Sequence, residues 1–288
     1  MISDLSLNVT FVVTTFKRRD FLENCLNSIL EKYPKAGVVV VNDDPADDLP
    51  FNSYPQVFYH RNSRNLGCPQ SRNVGANLVK TSYAFFLDDD GVLGDVDIER
   101  AVRLMDGNET IAVCGFSARN HIGGGVNTTG IFSQPKISPF DFYDTPAFNG
   151  GASLIRMSFF CPEGYNPRIR GYGEEAELTL RALSSGLRVV SLKNGGAIDH
   201  FPSTVSASSN SVAQRANDIA TAFNYGGFML GSRQFLAHTY AALKVKSLRQ
   251  ILGCLRGLIQ GITILNTGDR RRKMIYRNWL QLARKESI

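Results

Sequence analysis

Nowhere in the chain do about 20 uncharged apolar residues run together, so no segment is suited to cross a bilayer as a helix. The opening Met1-Ile2-Ser3-Asp4 carries an acid and no Lys or Arg ahead of the first apolar run, unlike a signal peptide. The five cysteines, at 25, 68, 114, 161 and 254, are odd in number and form no Cys-x-x-Cys pair, so no disulfide framework is implied. These absences predict a cytoplasmic chain with reduced thiols, in which the sequons at Asn8, Asn108 and Asn127 carry no meaning. Internal repeats and low-complexity tracts are missing too. What remains is 43% hydrophobic and 20% charged over 288 residues, enough to bury a core in one large domain or in a domain with an appendage. Acids are scarce only at one end. Residues 1–232 hold 20 Lys/Arg and 24 Asp/Glu, whereas residues 233–288 hold 12 and 2.

Apolar runs alternate with helical periodicity through most of the chain. Val9 to Val13 is rich in β-branched residues and reads as a buried strand. Phe21, Leu22, Cys25, Leu26 and Ile29 then recur at helical spacing, with Asp20 as the expected N-cap. Strands are predicted at 38–41, 56–59, 83–87, 110–116, 152–155 and 187–192, and the pattern closes on Ala197-Ile198-Asp199-His200. Helices are predicted from Pro69 to about Lys80, over 95–106 and over 174–185. This order implies an α/β fold with a mostly parallel sheet and right-handed crossovers. Residues 119–147, rich in Gly, Asn, Thr and Pro, read as one long loop. From about residue 210 the pattern is helical only.

Ligands of open α/β sheets bind outside the carboxyl ends of the strands. Three predicted strands end there in polar clusters: Thr14-Thr15-Phe16, Asn42-Asp43-Asp44 and Asp88-Asp89-Asp90. A parallel sheet brings all three to one edge. Adjacent carboxylates repel unless a cation sits among them, and a hard divalent ion would complete its shell with phosphate oxygens. In extended chain Asp88 and Asp90 would point to one side and Asp89 to the other. Farther on, Glu174 and Glu175 open a helix, where a carboxylate can favour the dipole or serve as a general base. His200, at the end of an apolar approach, is a candidate metal ligand.

In order and spacing these pieces resemble glycosyltransferase family 2, inverting enzymes of GT-A fold. The resemblance covers residues 9 to about 202. It is carried by Phe11 to Arg18, Asn42-Asp43-Asp44, Asn65-Leu66-Gly67 with Arg72-Asn73-Val74-Gly75, Phe86 to Asp90, Gly150-Gly151-Ala152 with Arg156, Gly173-Glu174-Glu175, and His200. It implies a Rossmann-like central sheet flanked by helices, with a donor half over about 1–118 and an acceptor half over 119–209. A basic helical region, 210–288, would follow. Thr14, Thr15 and Phe16 would line the nucleotide base, Asp43 or Asp44 would accept a hydrogen bond from it, and Asp88 would contact the ribose. Arg18, Asn65, Gly67, Arg72 and Asp89 would complete the donor site. Asp90 and His200 would hold Mg²⁺ or Mn²⁺, and Glu175 or Glu174 would be the base. Glu175 stands where the family usually has aspartate, and Thr14 where it often has proline.

The implied donor is a UDP- or dTDP-sugar, and the implied acceptor a glycan or lipid-linked glycan in polysaccharide or cell-surface glycan synthesis. Two other readings compete. Asp88-Asp89-Asp90-Gly91-Val92-Leu93 also resembles the first motif of haloacid-dehalogenase-type phosphatases, with Asp88 as nucleophile and Asp90 as acid/base. A sugar-nucleotide-binding protein without catalysis is the other. The tail lacks a nucleic-acid-reading motif. Its basic, apolar-striped helices would either pack on the catalytic domain or rest on anionic lipid at the inner face of the cytoplasmic membrane.

Overall fold

The protein is described by a computed structural model, over residues 8–47, 54–120, 126–127, 140–169, 172–201, 207–263 and 270–285. In chain order the elements are β1 (Val9–Thr15), α1 (Arg19–Lys32), β2 (Gly37–Asn42), β3 (Val57–Arg61), α2 (Cys68–Ala76), β4 (Tyr83–Asp88), β5 (Gly91–Val92) and α3 (Ile98–Asp106). They continue with β6 (Ile111–Gly115), β7 (Ser117–Asn120), β8 (Val126–Asn127), β9 (Phe142–Asp144), β10 (Ala152–Arg156), α4 (Met157–Phe160) and α5 (Glu174–Ser184). The last are β11 (Arg188–Leu192), β12 (Ala197–His200), α6 (Ala207–Lys244), α7 (Leu248–Thr263) and α8 (Arg270–Lys285). By contact the chain forms two units. One comprises residues 1–165 and 186–203, the other residues 166–185 and 204–288.

The first unit is built on a sheet of order β3-β2-β1-β4-β10-β6-β11-β9. Strands β3, β2, β1 and β4 are parallel, while β10 runs antiparallel to both β4 and β6. The chain moves from β1 one way to β2 and the other way to β4, so the strand order reverses at β1. Such a switch point opens a crevice at the carboxyl edge. All seven residues of β1 are buried, as expected for a strand covered on both faces. Helix α1 lays Leu22, Cys25, Leu26 and Ile29 on the core. A small second sheet, β5-β12-β7-β8, adjoins the end of β4 in sequence.

Several local expectations change. Asp20 does not cap α1: Arg18 is at the N-cap, and Asp20 lies in the first turn, where its charge suits the dipole. Helix α2 stops at Ala76 rather than near Lys80, unwinding through Leu78 N–H to Gly75 O and Val79 N–H to Ala76 O. Helix α3 starts at Ile98, because Asp97 caps it by accepting from Arg100 N–H. Residues 119–147 are not one loop. β7 reaches Asn120 and pairs with β12, and β9 pairs with β11; residues 121–125 and 128–139 lie outside the described residues.

The second unit is helical. Helix α6 is broken by Gly227, whose φ of 73° separates an arm over 207–226 from one over 228–244. Leu180, Ala222, Tyr225 and Tyr276 form one buried cluster, and Ile219, Phe223, Ala242 and Cys254 another. No helix among the described residues is long and apolar enough to cross a membrane.

Close approach of α2 to the sheet depends on Gly75, where a Cβ would stand 2.5 Å from Val12 Cγ1. Gly75→Ala is expected to cost roughly 1–3 kcal/mol through overpacking, read as a lower thermal midpoint without loss of the α/β circular-dichroism signature.

Candidate active site

The register of the parallel strands sets the site. Thr14 lies level with Val41 of β2 and with Asp88 of β4, so the polar ends of β1, β2 and β4 meet at one edge. Strand geometry stops at Asp88, and Asp89 and Asp90 form a turn. The expected alternation therefore fails. Asp89 and Asp90 share one partner, Arg18, while Asp88 faces another, Arg72.

Arg18 acts as a fork. Its Nη1 donates to Asp90 Oδ2 at 2.6 Å, its Nε to Asp89 Oδ2 at 3.2 Å, and its Nη2 to Asp89 Oδ1. Asp89 is fully buried and also accepts from Thr15 Oγ1 at 2.7 Å. Burial pushes the Asp89 carboxyl up to about 7, against the pull of Arg18 and Thr15. Asp89 is thus an internal counter-ion to Arg18. Arg72, itself nearly buried, donates from Nη2 to Asp88 Oδ1 at 2.6 Å and lies over the Tyr165 ring. Gly151 on the approach to β10 backs Asp88 so closely that a Cβ would fall 2.1 Å from Asp88 Oδ2.

At the end of β2 the two acids divide their work. Asp43 Oδ1 accepts from Asn62 Nδ2 and Leu66 N–H, and Oδ2 accepts from Gly67 N–H, each at 2.8 Å. This carboxylate ties down the loop that carries Asn65 and Gly67. Asp44 Oδ1 accepts only a local bond from Ala46 N–H at 3.1 Å. Asn65 is exposed, and Gly67 precedes α2 with φ of 84°. Thr14 and Thr15 are buried, with Thr14 Oγ1 3.6 Å from Cys68 Sγ. Phe16 is 41% exposed, an unusual posture for a ring at a strand end, with Lys17 Nζ 5.2 Å from its centroid.

The residues suit a divalent cation in one respect. Asp90 Oδ1 is buried and lies 3.2 Å from His200 Nε2. Burial pushes Asp90 up, but His200 and Arg18 outweigh it and hold the carboxyl below its usual range. The Asp90 carboxylate in turn pushes the His200 imidazole up, against burial. One carboxylate oxygen and one imidazole nitrogen form a partial ligand set of the kind Mn²⁺ accepts. No cluster of three His, Cys, Asp or Glu groups is poised for a metal among the described residues.

In the second unit, Gly173 with φ of 101° precedes α5, and Asn217 Nδ2 donates to Tyr172 O at 2.6 Å. Glu174 is buried and Glu175 partly exposed. Glu177, one turn from the helix start, accepts from Tyr225 Oη at 2.8 Å. Gly171 lies outside the described residues. The sequence reading missed Asn62 and Tyr165, which belong to no motif and act by supporting Asp43 and Arg72.

The profile of Glycosyl transferase family 2 matches residues 10–161, more than half of the chain. The chain belongs to glycosyl transferase family 2. The GT-A architecture recurs in solved structures. That of GalNAc-T7 with UDP, GalNAc and Mn²⁺ is similar at TM-score 0.59 and 16% identity, over 95% of this chain and 54% of that one. Staphylococcus aureus (S. aureus) TarS 1-349 with UDP-GlcNAc is similar at TM-score 0.62 and 13% identity, over 97% and 92%. A further TarS structure matches at TM-score 0.56 and 14% identity over 85% and 54%. The chain spans about half the length of GalNAc-T7 and of that further TarS structure, and no curated protein matches it. Membership of this family sets aside the phosphatase reading. The acidic motif sits on the fourth strand of the sheet, not the first, and Arg72 holds Asp88.

Arg18→Ala would leave Asp89 buried without its cation. Because Arg18 is about a third exposed, the expected cost is roughly 2–4 kcal/mol, below that of a fully enclosed pair. An acid whose folded pKa is raised loses stability as pH climbs from its unfolded pKa to its folded one. Without Arg18 the folded value rises further, so the deficit measured by urea unfolding is expected to be larger at pH 8 than at pH 5.

Proposed function

We propose that this glycosyltransferase moves a sugar, with inversion, from a UDP- or dTDP-sugar to a hydroxyl of a glycan or lipid-linked glycan, and that it depends on Mg²⁺ or Mn²⁺. The observation that carries the reading is the strand edge, where Asp88, Asp89 and Asp90 meet Arg72, Arg18 and His200 within the span matched by the family. The UDP and UDP-GlcNAc in the similar structures support the class of donor.

In this reading Phe16 stacks on the base, between Thr14 and the Asn65–Gly67 loop. Asp44 accepts from the base, because Asp43 is committed to the loop. Asp88, oriented by Arg72, accepts from a ribose hydroxyl. Asp90 and His200 would hold the cation, and the chemistry it would supply when bound is neutralisation of charge on the diphosphate. Glu175, more accessible than the buried Glu174, takes the acceptor hydroxyl proton. The acceptor oxygen bonds to the anomeric carbon from the face opposite the diphosphate, which leaves with the electron pair of the broken C–O bond. One displacement inverts the centre. The chain is read as cytoplasmic, with the basic region 233–288 resting on the inner face of the cytoplasmic membrane, where a lipid-linked acceptor would be presented.

Glu175→Gln is expected to abolish transfer while calorimetric donor affinity stays within a few-fold; normal turnover would remove Glu175 as the base. Asp90→Asn is expected to erase the difference in UDP-sugar affinity between Mn²⁺ and EDTA buffers, and an undiminished Mn²⁺ effect would remove it as a metal ligand. Wild-type protein that binds donor but neither transfers nor hydrolyses it would be a sugar-nucleotide-binding protein instead.

A further inference from the structure

Helix α7 has two faces of opposite character. On one, Gly253, Gly257 and Gly261 recur every four residues against the first arm of α6. Added Cβ atoms would stand 2.8 Å from Val212 Cγ1, 2.5 Å from Ala216 O and 2.5 Å from Phe223 Cδ2. On the other, Leu248, Leu252, Leu255, Ile259 and Ile262 follow one another at intervals of four and three, all between 43% and 70% exposed. Arg249 and Arg256 are exposed along one border of this stripe.

The second arm of α6 repeats the pattern. Met229, Leu236, Tyr240 and Leu243 share a face and are between 56% and 71% exposed, with Arg233 and Lys244 along its border. This arm and α7 pack through Phe235, Ala242, Ile251, Cys254 and Leu258 and are joined across residues 245–247, as an antiparallel hairpin. Each stripe is turned from its packed face in the same rotational sense, about a quarter to a third of a turn at 100° per residue. In antiparallel helices that brings both stripes to one side. Nearby, a cleft of about 400 Å³ is lined by Met229, Leu230, Leu280 and Gln281, with Arg233 and Arg277 at its walls.

We propose that this side of the hairpin is a docking face for a bilayer containing anionic lipid, the apolar stripes entering the interface and the Arg233–Arg277 cleft receiving a lipid phosphate. The proposal deepens the membrane contact of the functional reading and rests on it only for its purpose. Charge selects the occupant. Residues 228–263 contain no Asp or Glu, so a second copy docked about a two-fold axis would set Arg233, Lys244, Arg249 and Arg256 against their own kind. Anionic headgroups complement the same border, where long basic side chains reach outward past buried apolar stems. With no helix among the described residues able to span, the hairpin lies along the surface.

The full chain would be sedimented with phosphatidylcholine vesicles, with and without phosphatidylglycerol, in the absence of any sugar nucleotide. Failure here therefore leaves the catalytic reading standing, and a failed transfer assay leaves this one standing. Wild type is expected to pellet with the anionic vesicles only. The Leu252→Asp/Ile259→Asp variant should lose roughly tenfold or more in affinity at an unchanged melting temperature, since both side chains are exposed. Arg233→Ala/Arg277→Ala should lose several-fold on anionic vesicles. The proposal is overturned if wild type stays in the supernatant, or if the Asp variant binds as wild type does. It is equally overturned by a dimer in sedimentation velocity that the Asp variant dissolves while vesicles bind neither protein. Wild-type retention by Arg233→Ala/Arg277→Ala would overturn the role of the cleft.

Discussion

Three consecutive carboxylates at the end of a buried strand are an electrostatic burden that the fold meets with two arginines and a histidine from distant parts of the chain. Arg18 precedes α1, Arg72 lies in α2 and His200 ends β12. Arg18 matters most, because it is bidentate on Asp89, the fully buried member, and reaches Asp90 as well. A guanidinium fork can do this with two diverging acceptors where an ammonium cannot. The clamp fixes the turn after β4, which in turn presents Asp88 to Arg72 and the second oxygen of Asp90 to His200. The acidic edge is thereby held in place by the chain's own residues.

The same economy appears at β2. Asp43 spends both oxygens on backbone and side-chain donors of the loop before α2, so two neighbouring acids of equal chemistry receive different tasks. One becomes scaffold and the other stays available. Gly151 makes a comparable contribution by omission, because the space a methyl group would take is occupied by the Asp88 carboxylate.

Much of this was legible in the residues. The β-branched runs at 9–13 and 38–41 and the apolar approach to Asp88 announce buried parallel strands, and parallel strands oblige their carboxyl ends to share an edge. The identity of each partner was not legible. Which way Asp89 faces depends on where the strand stops, and the turn takes in both Asp89 and Asp90, which extended spacing treats as a continuation of the strand. Nothing local shows that Arg18 folds back on acids more than 70 residues away. The short strands β7 and β9 were hidden in a Gly- and Asn-rich stretch, since pairing with β12 and β11, rather than their own composition, makes them strands. Asp20 fails as a cap for a related reason: the chain reverses at Lys17, with φ of 58°, and the helix starts two residues sooner, with Arg18 at the N-cap.

The glycine ridge on α7 has a consequence for how that helix can behave. A helix with an oily side turned to solvent would ordinarily be expected to roll and hide it. Here rolling is sterically barred, since the slot against Val212, Ala216 and Phe223 admits hydrogen atoms but no leucine. The outward pose is keyed in place, and relief must come from something that approaches the helix rather than from the helix turning away.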